Sequence, residues 1–380
     1  MRKNRSIHSL VTAASAFILA FAPTCVHADS FTQTNLVSDV PGLANTTDPN
    51  LKNPWGVAFS PTSPFWVSDQ GTGKSTLYDG AGNAQGLIVT IPPGANPPSG
   101  PTGQVFNTGT GFLLSNGSSS TFIFDTLNGT IVGWNGGAGT TAQQVAATAG
   151  AVYTGLAQST SGGSTFLYAA DSKGQIHVFN SAWTDVTSTT FAGKFVDPTL
   201  PAGFTPFNIQ KVGANLYVTY AQLTPMGTPL PGGYVDEYDS SGNFIKRIAS
   251  DGPLSAPWGI TLAPASFGSF SNDLLIGNFG NGEILAYDAT SGLFLGTING
   301  ADGQPLVNPF LWALETRTGG NNVNTNAVYF TAGINNQQDG LLGEITVTSV
   351  PEPATIFETA SGLIALALSR FRRNLLGSSR

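Results

Sequence analysis

The stretches Asn53-Pro54-Trp55-Gly56-Val57 and Ala256-Pro257-Trp258-Gly259-Ile260 are near-copies of each other, far apart in one chain. Working outward from them, related openings occur at Pro101-Thr102-Gly103-Gln104-Val105, Tyr153-Thr154-Gly155-Leu156, Pro206-Phe207-Asn208-Ile209 and Pro309-Phe310-Leu311-Trp312. The step between successive openings is about 50 residues, a period that marks repeat architectures. Each unit continues with an apolar strand ending in a polar turn, then a glycine, then a strand ending in an aromatic with Asp or Asn. Phe65-Trp66-Val67-Ser68-Asp69 leads to Leu77-Tyr78-Asp79, and Leu167-Tyr168-Ala169-Ala170-Asp171 passes Gly174 to reach Phe179-Asn180. A fourth strand follows in most units, as in Leu87–Ile91, Phe244–Ile248 and Phe294–Ile298.

Four strands per unit, six times over, predicts an all-β fold: a six-bladed β-propeller of four-stranded antiparallel blades. Thr32 to Val37 has strand chemistry and no partner in its own unit, so it is expected to complete the last blade and close the ring. No segment of the body shows helical periodicity over three turns.

Composition agrees with a folded, turn-rich chain. The 380 residues include 47 Gly, 24 Pro, 24 Phe, 9 Tyr and 6 Trp, and 10% are charged. Between Asp29 and Ser349 stand 8 basic and 20 acidic residues. A body that acidic, with no basic stripe, repels phosphate backbones, which disfavours nucleic acid as a partner. Arg247 and Arg317 are its two arginines, too few for a polyanionic substrate to be gripped bidentately.

The termini read as addresses. Residues 1–28 combine basic Arg2, Lys3 and Arg5 with an apolar run from Leu10 to Ala22 and end in Val26-His27-Ala28, the pattern of a signal peptide cleaved after Ala28 by signal peptidase. Cys25 is the one cysteine and would leave with that segment, so disulfides and thiolate chemistry are not expected in the mature chain. Residues 29–349 then form the propeller and 350–380 a separate tail. The tail runs Val350-Pro351-Glu352-Pro353-Ala354-Thr355, an apolar stretch from Ile356 to Leu368, and Arg370-Phe371-Arg372-Arg373. This order resembles the PEP-CTERM sorting signal, in which Pro351, Glu352 and Pro353 would be read by an exosortase-type transpeptidase. Arg370, Arg372 and Arg373 would hold the far end of a transmembrane apolar helix in the cytoplasm.

The stretch from Phe31-Thr32-Gln33-Thr34-Asn35-Leu36-Val37-Ser38-Asp39 through Thr47-Asp48-Pro49-Asn50-Leu51-Lys52-Asn53-Pro54-Trp55-Gly56 is similar to an uncharacterised family of secreted bacterial propeller proteins that often carry such a tail. The resemblance implies the propeller fold and export to the cell surface or extracellular matrix of a Gram-negative-type bacterium. It implies no activity.

Two chemical motifs fail on inspection. Gly71-Thr72-Gly73-Lys74-Ser75-Thr76 has Ser68 where a phosphate-binding loop needs Gly, and it precedes a strand rather than a helix. His177 is the one histidine after residue 28 and alternates with Ile176 and Val178, as a packed strand residue does. Propeller geometry offers more. The start of each first strand and the turn after each second strand share a face, which would gather Trp55, Tyr153, Phe207, Asn208, Trp258 and Trp312 around the channel, beside Asp69, Asp125, Asp171 and Asn278. Aromatics suit the stacking of sugar rings, while carboxylates and amides suit calcium, the one cofactor so suggested. The favoured expectation is a binding or structural protein of the polysaccharide matrix; the alternative, on fold analogy, is a calcium-dependent lactonase- or hydrolase-like enzyme.

Overall fold

The computed structural model describes residues 29–92, 99–224 and 227–348. The expected signal peptide with its cleavage after Ala28, and the tail with its apolar segment and arginines, lie outside the described residues. Among those described, no helix is long and apolar enough to cross a membrane.

Six sheets follow one another along the chain, antiparallel except where the short strand Thr46–Thr47 pairs parallel with Ser30–Ser38 at the edge of one of them. Their innermost strands are Pro54–Ala58, Pro101–Phe106, Tyr153–Ser161, Thr205–Val212, Pro257–Leu262 and Leu311–Glu315, which define blades 1 to 6. Successive strands of each blade step outward, for example Phe65–Asp69, Lys74–Tyr78 and Val89–Thr90 in blade 1. The ring closes as expected: Ser30–Ser38 pairs antiparallel with Leu341–Thr348, Phe31 opposite Val347, so the two ends of the described chain share blade 6. Closure leaves no unpaired sheet end inside the ring.

The fourth strand of blade 3 departs from the pattern. After Tyr153–Ser161, Ser164–Asp171 and Gln175–Asn180, the outer position is reduced to an isolated bridge between Phe179 and Asp185. Here Thr187 Oγ1 accepts a 2.8 Å bond from the Val178 N–H, and Asp185 Oδ1 accepts from the Thr187 N–H at 2.9 Å. Side chains have taken the place of ladder bonds, which is how Thr and Asp interrupt regular structure. The outer strand of blade 1 is likewise shorter than its Leu87–Ile91 sequence suggests, covering Val89–Thr90.

Large aromatics fill the wedges between neighbouring blades. Trp66 of blade 1 stacks on Phe122 of blade 2 at 4.1 Å, and Phe31 meets Phe267 at 4.9 Å across the closing strand. The innermost strands, by contrast, converge backbone to backbone. A Cβ on Gly56 would stand 2.6 Å from the Thr102 carbonyl, and one on Gly103 or Gly259 would collide with Leu156 or Trp312 of the next blade. This explains the glycine two residues after the opening prolines Pro54, Pro101 and Pro257: only a residue without a side chain permits that approach.

Candidate functional site: two chambers on one channel

The second residue of the inner strand is aromatic in blades 1, 5 and 6 and the third is aromatic in blade 4, and these rings meet on the axis. Trp55 stacks on Trp312 with centroids 3.4 Å apart, and Trp258 stands edge-on to both, at 6.2 and 5.7 Å. Phe207 and Phe279 complete the cluster, 5.9 and 4.3 Å from Trp312. Trp258 reaches across the axis: its Nε1 donates to the Thr154 carbonyl of blade 3 at 2.8 Å. Trp312 Nε1 donates to Asn53 Oδ1 at 3.0 Å. The indole N–H of Trp55 is buried and has no acceptor among the described residues.

This plug divides the channel. On the side where the inner strands begin lies a mouth chamber of about 680 Å³, lined by Trp55, Phe207, Phe279 and Trp312 together with Thr154, Ser172, Thr205, Thr224 and Gln337. Lys173 is the one charged residue among its described lining. On the other side, an inner chamber of about 300 Å³ is bounded by the far halves of the inner strands and by Trp258.

The sequence-derived residues separate into three groups. Trp55, Phe207 and Trp312 line the mouth chamber, and Trp258 lies within the plug beneath it. Asn208 sits one residue on, buried between blades 4 and 5, with Nδ2 donating to the Trp258 carbonyl at 2.8 Å and Oδ1 accepting from the Ile209 N–H at 2.8 Å. Tyr153 is not part of the cluster. It pairs with Asp171 as Pro54 pairs with Asp69, so Thr154 is the counterpart of Trp55 in blade 3. The Tyr153 ring points into its own blade, edge-on to His177 and Phe179, and its hydroxyl donates to Thr148 Oγ1 at 2.7 Å.

The polar residues proposed for a cation are not brought together. Asp69 accepts from Thr76 Oγ1 at 2.8 Å, and burial pushes its carboxyl well above the usual range. Asp125 accepts from Thr102 Oγ1 and the Gly103 N–H at 2.7 and 2.6 Å, and burial raises it to about 7. Asp171 accepts from the N–H groups of Val152 and Lys173, while Asn278 bonds the backbone of Ser255 and Pro253. Each side chain secures a turn or strand entry of its own blade. Among the described residues no three of His, Cys, Asp and Glu converge as a metal cage would require.

His177 occupies a side cleft in blade 3, its Nδ1 3.0 Å from Asp185 Oδ2 and its Nε2 3.5 Å from Asp171 Oδ2. Burial opposes its charge, but the two carboxylates outweigh burial and raise its pKa. The Gly71–Lys74 stretch forms the expected turn before the strand Lys74–Tyr78.

Phe279 was missed by sequence reasoning although it directly follows Asn278 at a blade turn. Gln210 and Glu315 of the inner chamber were missed as well, because they lie beyond the repeated opening, and Gln104 was read only as part of an opening; a Glu or Gln inside an otherwise apolar strand is the signal that marks them.

No family model matches the chain. It is 30% identical over 325 residues to one uncharacterized protein of Acanthamoeba polyphaga mimivirus, covering 82% of this chain and 78% of that protein. A second uncharacterized mimivirus protein is 30% identical over 338 residues, covering 83% and 85%. Among solved structures, the apo aldose sugar dehydrogenase of Escherichia coli aligns with a TM-score of 0.50 at 12% identity, over 84% of this chain and 100% of that one. Streptogramin B lyase aligns at 0.46 and 12%, over 84% and 97%. Likeness at that identity shows the propeller fold and no chemistry. The relatives correct the expectation of a secreted bacterial PEP-CTERM family, since those found are viral and no bacterial family model fits. The chain belongs to the family that includes these two uncharacterized mimivirus proteins.

Proposed function

We propose that the protein is an exported carbohydrate-binding propeller, acting without catalysis at a cell surface or in an extracellular polysaccharide, with the mouth chamber as its ligand site. One observation carries the reading. The buried Trp55 N–H lacks an acceptor among the described residues, on a ring that forms the chamber floor with Trp312. A buried donor without a partner costs stability; with Trp55 and Trp312 only 5% and 1% exposed, a small shift of the floor on binding would bring the N–H to a ligand hydroxyl and the indole edges to a sugar ring. The lining is otherwise neutral and hydroxyl-bearing, which suits an uncharged polyol better than an anion. A chamber of about 680 Å³ is large enough for one or two sugar rings.

The test is calorimetric titration of the full chain with a panel of neutral oligosaccharides, repeated on Trp55→Phe. That variant keeps an aromatic floor and deletes the donor. Affinity for the binding glycan should fall about tenfold, the worth of one hydrogen bond in a dry site. No binding across the panel, or unchanged affinity in the variant, contradicts the reading.

A further inference from the structure

The inner chamber has different chemistry: two acceptors on its wall are left without donors, and the one cation there, Lys211, is exposed and bonds neither of them. Glu315 projects from the fourth position of the blade 6 inner strand, where its Oε1 accepts from Gln210 Nε2 of blade 4 at 3.0 Å. The described residues offer no partner to Oε2 and no cation to the carboxylate. Gln104 supplies a second acceptor. Its Nε2 donates to the carbonyls of Gly56, at 3.0 Å, and Trp66, which fixes the amide orientation and leaves the buried Oε1 without a donor. Trp258 adds an aromatic surface at the end of the chamber.

A carboxylate, an orphan amide carbonyl and an indole in one enclosure are complementary to a group that carries positive charge and several N–H donors. Water alone would satisfy the acceptors but would not favour the ionised form of the carboxyl. We infer that the inner chamber is a binding site for a small organic cation of the primary-ammonium class, separate from the mouth chamber and from any glycan bound there. The volume of about 300 Å³ lies at the small end of ligand sites and fits a short-chain amine.

Two charged residues line this chamber, Glu315 and the exposed Lys211 of blade 4, which makes no ion pair with it. Burial raises the Glu315 carboxyl to about 8. An ammonium ligand requires the ionised form, so binding must release a proton below that pH.

Calorimetric titration of the full chain with isobutylamine, and with isobutanol as its uncharged counterpart, tests this between pH 6 and 9. At pH 9 the amine should bind at least tenfold more tightly than the alcohol. Its affinity should fall roughly tenfold per pH unit below about 8. Glu315→Gln should lower amine affinity at least tenfold and abolish the pH dependence. Equal binding of amine and alcohol, a flat pH profile in the unaltered protein, or no amine binding at pH 9 each overturns the inference. The pH profile needs no variant, so the proposal stays testable even if Glu315→Gln fails to fold.

Discussion

The two chambers are built by the same six strands and differ in almost every chemical respect. At the strand starts, Trp55, Phe207, Trp258 and Trp312 crowd the axis and present apolar floor and neutral rim. Two or three residues further along, Gln104, Gln210 and Glu315 present amides and a carboxyl to an enclosure with Ala58 and Ala157 on its walls. A propeller thus sets the chemistry of each end of its channel by residues only a few positions apart in the repeat. Filling one end with indoles holds the blades together, and leaving the other end open exposes a carboxyl that the fold does not need.

The largest effect that would sharpen this contrast is expected at the plug. Trp312→Ala empties a fully buried site that touches Trp55, Trp258, Phe207 and Phe279, and should cost about 3–5 kcal/mol of unfolding free energy. Urea denaturation measures it. A loss below about 1 kcal/mol would mean the rings are not the structural centre of the channel.

A smaller effect of opposite sign is expected in the inner chamber. The folded-state pKa of Glu315 lies above its unfolded value, so the native state holds a proton that the unfolded chain has lost between those values. Its contribution to stability therefore declines as pH rises from about 4.5 towards about 8. Glu315→Gln should leave stability unchanged near pH 4 and raise it by about 1–2 kcal/mol at pH 8, after allowance for water in the channel. Denaturation curves at the two pH values decide it, and a variant less stable at pH 8 would show that the carboxylate is structurally required.

The smallest effect concerns Lys173, the one charge on the described lining of the mouth. Lys173→Ala should change affinity for a neutral glycan by less than about 0.5 kcal/mol, with little response to salt. Strong salt dependence of glycan binding, lost in this variant, would instead point to an anionic ligand.

Much of this fold was legible because a propeller imposes the same demands six times. The opening of proline, aromatic and glycine is complete in blades 1 and 5 and recurs in part in the others, and the unpartnered Thr32–Val37 segment identified the closing strand. The outer strand of blade 3 was less legible, since Thr187 and Asp185 satisfy the backbone locally without changing the unit's length. At the site, the four tryptophan and phenylalanine openings were readable. Tyr153 was not, because in blade 3 an aromatic stands in the place of the proline and Thr154 in the place of the aromatic. The mutual stacking of Trp55 on Trp312 and the reach of Trp258 to Thr154 depend on how tightly the ring closes, which no local pattern encodes. Nor does the strand pattern tell that Gln210 and Glu315 meet across an intervening blade.

The most direct test of the central claim, that the mouth chamber binds sugar, is a crystal structure of the protein soaked with an oligosaccharide from the binding panel. A sugar ring should lie on the floor formed by Trp55 and Trp312, with a hydroxyl within hydrogen-bonding distance of Trp55 Nε1. Sugar bound on the outer blade surfaces or in the inner chamber, with the floor left uncovered, would contradict it.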